Sequence, residues 1–265
     1  MKKNEVVIDA KYCPVCNTPT RLAYAMHEAQ TGENGIWYTC KCGIIFQGDK
    51  PSDDLYDSKY IDEYKGRKRA EQHAQHLPYI YAPIIEEITY GRMVLEVGFC
   101  YPYVMRFLED RGWLTWGIEV NKDIGGHDNI FQGDFTNYDF SIPITDEVKE
   151  HVGDGSVPRT FDLIWMGNSL GHMSYPLKAL KKAYDLLTKG GVLFLTIPDI
   201  DLLHQLTPQG FRHWNKKEYY TMWSKRALRR EVEKLGFELI LNRTNLNERF
   251  LNFYDIHLIA QKPYI

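Results

Sequence analysis

The run Met93-Val-Leu-Glu-Val-Gly-Phe-Cys-Tyr-Pro102 constrains the fold of this chain more than any other stretch. Val94, Leu95 and Val97 read as a short parallel strand buried on both faces. Gly98 permits a tight turn after it, and Pro102 suits the first turn of a helix over Tyr103 to Arg111. Strand, glycine turn and helix in this order put an acidic side chain, Glu96, where open α/β sheets bind nucleotide-like ligands. About twenty residues later Trp116-Gly-Ile-Glu-Val120 predicts a second strand ending in an acid, Glu119, at the spacing of a carboxylate that holds ribose hydroxyls.

The chain has 265 residues and is 44% hydrophobic, enough for one α/β domain with a real core and a small additional module. Met1 to Lys11 holds an apolar run of only three residues, too short for a signal-peptide core, and no stretch approaches a membrane span. A cytoplasmic, reducing setting is the expectation. A net charge of -3 argues against nucleic-acid binding driven by bulk charge. The basic clusters Lys65/Arg67/Lys68/Arg69 and Lys225/Arg226/Arg229/Arg230 read first as solvated helix faces.

Four of the five cysteines lie in the first 42 residues, as Cys13-Pro-Val-Cys16 and Cys40-Lys-Cys42. The pattern looks like a zinc ribbon, since thiolates on two tight knuckles meet one tetrahedral Zn²⁺, and so small a module needs such a staple to fold. The expected ligands are Cys13, Cys16, Cys40 and Cys42, with His27 in reserve because the second knuckle is one residue short of Cys-x-x-Cys. A disulfide across Cys-x-Cys would be strained.

Beyond the ribbon the chain resembles the class I S-adenosylmethionine-dependent methyltransferases. The likeness rests on the strand-turn-helix run at Glu96/Gly98, on Glu119, and on Gln132-Gly-Asp-Phe135. It extends to Phe161-Asp-Leu-Ile-Trp-Met-Gly-Asn-Ser-Leu-Gly-His172 and to Tyr184-Asp-Leu-Leu-Thr-Lys-Gly-Gly-Val-Leu-Phe-Leu-Thr-Ile-Pro198. The resemblance implies a Rossmann-like, doubly wound, mostly parallel sheet of about seven strands, ending in a hairpin of Phe237–Leu241 and Phe253–Ala260. It also implies cofactor contacts from Glu96, Gly98, Cys100, Glu119, Asp134, Phe135 and Asn168. Cys100 and Pro102 stand where the family usually has its second and third glycines, and Gly171 replaces the Glu that commonly precedes the family's His.

The expected organisation is a ribbon over 1–48, a linker with cofactor-capping helices over 49–80, and the methyltransferase domain over 81–265. Tyr56, Tyr60 and Tyr64 share one helical face. An extra helix is expected around Asp146 to Val152. The aromatic and histidine-rich stretch Asp199 to Ser224 lies where substrate contacts concentrate. The methyl donor already carries the electrophile, so a base is needed only for hydroxyl or carbon acceptors. His172 is the first candidate and His213 the second, with Tyr101, Tyr103 and Tyr219 as pocket residues. A ribbon, a Tyr-rich segment and the methyltransferase core in this order resemble a branch of bacterial methyltransferases that often act on sugars, nucleotide-linked sugars or other small metabolites, and that resemblance implies a small polar acceptor, a sugar or nucleotide-sugar, as the leading reading. An RNA or protein substrate gripped by the ribbon and a non-catalytic scaffold are the alternatives.

Overall fold

The computed structural model describes residues 11–27, 34–50, 59, 67–124, 127–140, 160–202, 219–244 and 255–265. The helix expected near Asp146, the Tyr56/Tyr60/Tyr64 face and most of the aromatic stretch, His213 included, lie outside them.

The N-terminal strands are Arg21–His27 (β1), Asn34–Cys40 (β2) and Ile44–Gln47 (β3), paired antiparallel in sequence order. The long helix α1 follows, Arg67–Ile88, with Pro78 and Pro83 inside it. It runs across position 80, where the linker was expected to give way to the methyltransferase domain. Next come β4 (Met93–Val97), α2 (Tyr103–Glu109), β5 (Leu114–Glu119), β6 (Ile130–Gln132) and β7 (Phe161–Gly167). The chain continues through α3 (Pro176–Leu186), β8 (Leu187–Pro198), β9 (Thr221–Trp223), α4 (Lys225–Lys234), β10 (Glu238–Thr244) and β11 (Asp255–Gln261).

Seven of these strands form the main sheet in the order β10-β11-β8-β7-β4-β5-β6. β4 through β8 run parallel where they pair, and β11 is antiparallel to both β8 and β10, which makes the expected C-terminal hairpin. The order reverses at β4, so the crevice beyond Val97 is the switch point of the sheet. Both faces are covered, as the near-continuous apolar strands require. On one face Tyr81, Ala82 and Ile85 of α1 pack with Val94, Leu163, Trp165 and Phe194. On the other, Ala179, Leu180 and Ala183 of α3 and Leu228 and Val232 of α4 pack with Leu95, Ile164, Leu193 and Leu258. Among the described residues no helix is long and apolar enough to cross a membrane.

Two local outcomes differ from the sequence reading. α2 stops at Glu109 instead of Arg111, because Gly112 turns left-handed (φ 78°) and Trp113 returns its N–H to the Leu108 carbonyl at 3.1 Å. Thr221–Trp223, read as part of a substrate elaboration, is a strand that joins the N-terminal sheet, with Ile44, Ile45 and Phe46 of β3 opposite Trp223, Met222 and Thr221. Trp223 also bridges in parallel to Asp199, just past β8. β9 is therefore the joint between the two sheets.

Candidate active site and metal centre

The first loop leaves β4 through Gly98 (φ 71°), whose N–H donates to the Ile118 carbonyl at 2.9 Å. A Cβ on Gly98 would lie 2.9 Å from Cβ of Ser169, so the loops after β4 and β7 touch there and glycine is required. Cys100 adopts φ 58°, the left-handed conformation of the glycine it replaces. Its N–H donates to Glu119 Oε2 at 3.1 Å, while Glu119 Oε1 accepts from Val120 N–H (2.8 Å) and Asn121 N–H (3.0 Å). The end of β5 thus fixes the loop after β4, and the substitution of the second glycine leaves the loop path glycine-like. Pro102 sits at the N-cap of α2 and its carbonyl accepts from Arg106 N–H at 3.0 Å, as a residue entering a helix does.

Glu96 is buried at the end of β4, and its Oε2 finds no partner among the described residues. Burial, with the Glu119 carboxylate second, pushes its carboxyl well above the usual carboxylate range. Asn168 Oδ1 and Ser169 Oγ, in the loop after β7, are likewise buried and unpartnered among the described residues. Asn168 holds φ 57°, receives nothing on that oxygen, and donates through Nδ2 to Asp255 Oδ2 at 2.9 Å. Three orphaned polar atoms at adjacent strand ends are what a polar ligand with several hydrogen-bonding groups would satisfy.

The acid after β6 is engaged locally. Asp134 accepts from Thr136 N–H (2.8 Å), Thr136 Oγ1 (2.6 Å) and Asn137 Nδ2 (2.6 Å), a turn-forming role for its short side chain. Phe135 is buried and meets Phe140 edge-on with ring centroids 6.0 Å apart. Lys182 of α3 donates to the carbonyls of Thr136 (3.4 Å) and Tyr138, which ties this loop to α3.

On the acceptor side, Leu170–His172 is a single 3-10 turn. The His172 ring lies 4.2 Å from the Tyr219 ring, tilted by 37°. Gly171 has a packing cause: a Cβ there would come within 2.9 Å of both the Thr221 carbonyl and the Tyr219 ring. The Glu of the family pattern has no room once β9 approaches. Tyr103, near the first loop, donates to Glu71 Oε1 of α1 at 2.7 Å, and its ring lies 6.1 Å from that of Tyr101.

The four N-terminal sulfurs come together within 4.8 Å of one another. Cys13 and Cys42 are 3.6 Å apart and Cys16 and Cys40 3.3 Å. A tetrahedral zinc with arms of about 2.3 Å separates its sulfurs by roughly 3.8 Å, so small adjustments suffice. Asn17 (φ 55°) and Gly43 (φ 91°) turn the two knuckles, and Cys42 N–H points at Cys40 Sγ at 3.5 Å. Four thiols crowded together, two of them buried, are poorly placed without a cation. The hydrogen bond from Cys42, the largest influence, lowers Cys13 to about 5, while the contact with Cys13 drives Cys42 up. The quartet, free of disulfides, fits a structural zinc.

Two basic residues of α4, Lys225 and Arg230, reach partners elsewhere in the fold, while Arg229 pairs within the helix. Lys225 Nζ reaches buried Asp199 at 3.1 Å, Arg229 pairs with Glu233 at 2.8 Å, and Arg230 binds both Glu231 (2.7 Å) and the Cys42 carbonyl (2.9 Å).

A family model described as a methyltransferase domain matches residues 68–242. The chain belongs to this methyltransferase family. It is an enzyme that uses S-adenosylmethionine as its methyl donor. A search by sequence among curated proteins finds no match. Solved structures with the same fold include a chain of the complex between the Haloferax volcanii Trm112 methyltransferase activator and a methyltransferase. That chain is 14% identical at a TM-score of 0.56, over 77% of this chain and 96% of that one. An S-adenosylmethionine-dependent methyltransferase from Archaeoglobus fulgidus is 15% identical at a TM-score of 0.54, over 77% and 98%. The magnesium protoporphyrin IX methyltransferase of Synechocystis, solved with S-adenosylhomocysteine, is 12% identical at 0.54, over 79% and 97%. At such identities the likeness is one of fold.

Local sequence patterns single out Glu96, Gly98, Cys100, Glu119 and the four cysteines, and the structure brings the first four to neighbouring strand ends and the cysteines to one cluster. Ser169 was missed, since one serine in a loop carries no periodic signal. The pairing of β9 with the ribbon was missed because three residues are too few to show alternation.

Proposed function

We propose that the methyltransferase transfers a methyl group to a small polar molecule, a sugar or nucleotide-sugar, held beside His172 and Tyr219. The observation that carries the cofactor half is Glu96: a buried carboxyl whose Oε2 has no partner among the described residues, beside a second carboxylate, Glu119, calls for a ligand that is cationic and rich in donors. S-adenosylmethionine has both an ammonium group and ribose hydroxyls, and when bound it supplies an electrophilic methyl on a sulfonium. In this reading Glu119 accepts from the ribose hydroxyls while its two oxygens keep the loop amides. Gly98 and Cys100 line the donor, Asp134 and Phe135 flank the adenine, and Asn168 and Ser169 complete the polar wall. His172 takes the proton of a hydroxyl or carbon acceptor, with His213 next in line. Tyr219, buried at 4% exposure, backs the His172 ring and leaves the acceptor to the other side of the imidazole.

Glu119→Ala should weaken S-adenosylmethionine binding at least tenfold in calorimetry, since a carboxylate accepting from two hydroxyls is hard to replace. An unchanged dissociation constant would overturn the assignment. For the acceptor, labelled cofactor is incubated with a metabolite pool or with total RNA. Label in small molecules supports the reading, and label confined to RNA reverses it. A protein partner is a second reading, favoured by the neighbour solved together with its activator. Light scattering of the purified chain with a cell extract's proteins removed and restored tests it.

A further inference from the structure

The link between the metal quartet and the acceptor side can be followed bond by bond. Cys40 and Cys42 are joined to β3 through Gly43, whose N–H donates to the Cys40 carbonyl at 3.0 Å and whose carbonyl accepts from Ser224 N–H at 3.0 Å. A Cβ on Gly43 would lie 2.4 Å from Ser224 Oγ, so the knuckle presses directly on the residue that caps α4. From there β3 pairs with β9 over Ile44↔Trp223, Ile45↔Met222 and Phe46↔Thr221, and Gln47 N–H donates to the Tyr220 carbonyl at 2.9 Å. Tyr220 N–H in turn donates to the Gly171 carbonyl at 2.8 Å, within the turn that carries His172. Side chains follow the same path. Trp37 and Ile45 of the ribbon form one buried cluster with Met222 and Tyr219, and the Tyr219 ring lies on His172.

We infer that the metal-stapled ribbon is a positioning element of the methyltransferase site: through β3 and β9 it holds Tyr219 against His172 and so fixes the acceptor-side wall. The inference rests on the reading of His172 as an acceptor-side residue. A ribbon meant only to capture a macromolecule would present its knuckles outward. Here the second knuckle is buried against Ser224, Ala227 and Arg230, and its strand is continued by the catalytic half of the chain. β3 and β9 are short, with three ladder pairs between them. Such a contact holds only while both partners are ordered. A ribbon of this size is ordered by its metal. The cofactor side is held by other elements: β4 pairs with β5 and β7, and Val94, Leu163 and Trp165 pack under α1 in a cluster that contains no ribbon residue. Losing the ribbon therefore frees the acceptor wall and spares the cofactor wall. Tyr219 is a positioning residue in this scheme, acting through the ring it lays on His172.

The experiment uses the full chain, with histidine-labelled protein observed by NMR and S-adenosylhomocysteine as the cofactor probe. Chelating the metal, or Cys42→Ser, should shift the His172 ring resonances, speed amide exchange at 220–223, and leave the S-adenosylhomocysteine dissociation constant within about threefold. With the metal bound, Tyr219→Phe should keep the His172 resonances, and Tyr219→Leu, which fills the site without a ring, should move them as chelation does. His172 resonances unmoved by metal removal would overturn the inference. So would loss of cofactor binding together with the metal, since the ribbon would then support the whole domain. Because the readout is the ring and not turnover, full activity in His172→Asn breaks the base assignment separately from this coupling.

Discussion

Strands β4, β7 and β8 lie between α1 on one face and α3 and α4 on the other, and their inward residues, from Leu95 to Phe194, are almost wholly removed from water. Among the described residues, strands β1 to β3 are not enclosed between helices on both faces, and α4 meets them through Ala227 and Leu228. Their ordered frame is the sulfur quartet at one end and the three-residue strand β9 along one edge. The main sheet is stable because it buries apolar surface, a cooperative and diffuse source. The ribbon has instead a quartet of sulfurs that fits one metal, whose few directional bonds would order it, and a borrowed strand. Yet the two are not separable, since Cys13, Tyr38, Ile44 and Phe46 share a buried cluster with Trp223 and Leu228. A small module can thus have its own source of order and still lack its own boundary.

The largest effect that would break or support this contrast is metal removal. Structural zinc in small modules contributes an apparent 10 to 16 kcal/mol. Purified protein should carry about one zinc per chain by elemental analysis, and chelation should erase amide protection across 34–47 while β4, β7 and β8 keep theirs. Protection of β2 and β3 surviving in metal-free protein would end the comparison. The second effect belongs to the main sheet. His257 on β11 is buried beside Tyr81 and Phe194, and burial, with Arg243 second, holds it down to about 4. The fold keeps it neutral while the unfolded chain protonates it near 6.5. Its share of stability is therefore complete above that value and falls away as the pH drops to about 4, by on the order of 3 kcal/mol. Urea unfolding at pH 7 and pH 4.5 should show the loss, and His257→Leu should flatten it. An equal pH response in the variant would assign the acid sensitivity elsewhere.

The joint between the regions gives a smaller effect. Gly171→Ala sets a methyl against the Thr221 carbonyl and the Tyr219 ring, an overpacking of about 1 to 3 kcal/mol. It should lower the melting temperature and loosen β9 without reducing zinc content, and a variant as stable as the parent would deny that β9 needs this glycine. Smallest is Cys100→Gly. Left-handed backbone costs a side chain roughly 1 to 2 kcal/mol, and glycine returns part of that as entropy of the unfolded chain. A net gain below about 1 kcal/mol is expected in thermal unfolding, with S-adenosylhomocysteine bound as well as before. A clear loss of stability would mean that the Cys100 side chain makes contacts worth more than the strain.

Much of this was legible before any coordinates. Val94 to Val97, Trp116 to Glu119 and Phe161 to Met166 announce themselves as parallel strands because burial on both faces leaves no polar alternation. α4 is bounded by local chemistry, with Ser224 accepting from Ala227 N–H at 3.1 Å and Gly236 at φ 97° just past its end. The role of Asp134 was less legible. Its position after the third strand of the main sheet suggested a ligand contact, and only coordinates reveal that its oxygens also accept from Thr136 and Asn137 in a turn. The basic run on α4 looked like a solvated face, whereas Lys225 and Arg230 reach partners 26 and 188 residues away in sequence, Asp199 and Cys42.

The amino-acid sequence by itself determined the kind and order of the elements, the glycine turn at Gly98, and the two cysteine knuckles whose sulfurs gather within 4.8 Å of one another, because period, capping and knuckle spacing are properties of neighbouring residues. The tertiary structure alone decided that Thr221–Trp223 completes the ribbon's sheet, that Cys100 takes a glycine's conformation, and that His172 meets Tyr219. Those outcomes depend on which sheet edge was open and which backbones approached within van der Waals contact, and such choices are settled by the packing of segments far apart in the chain.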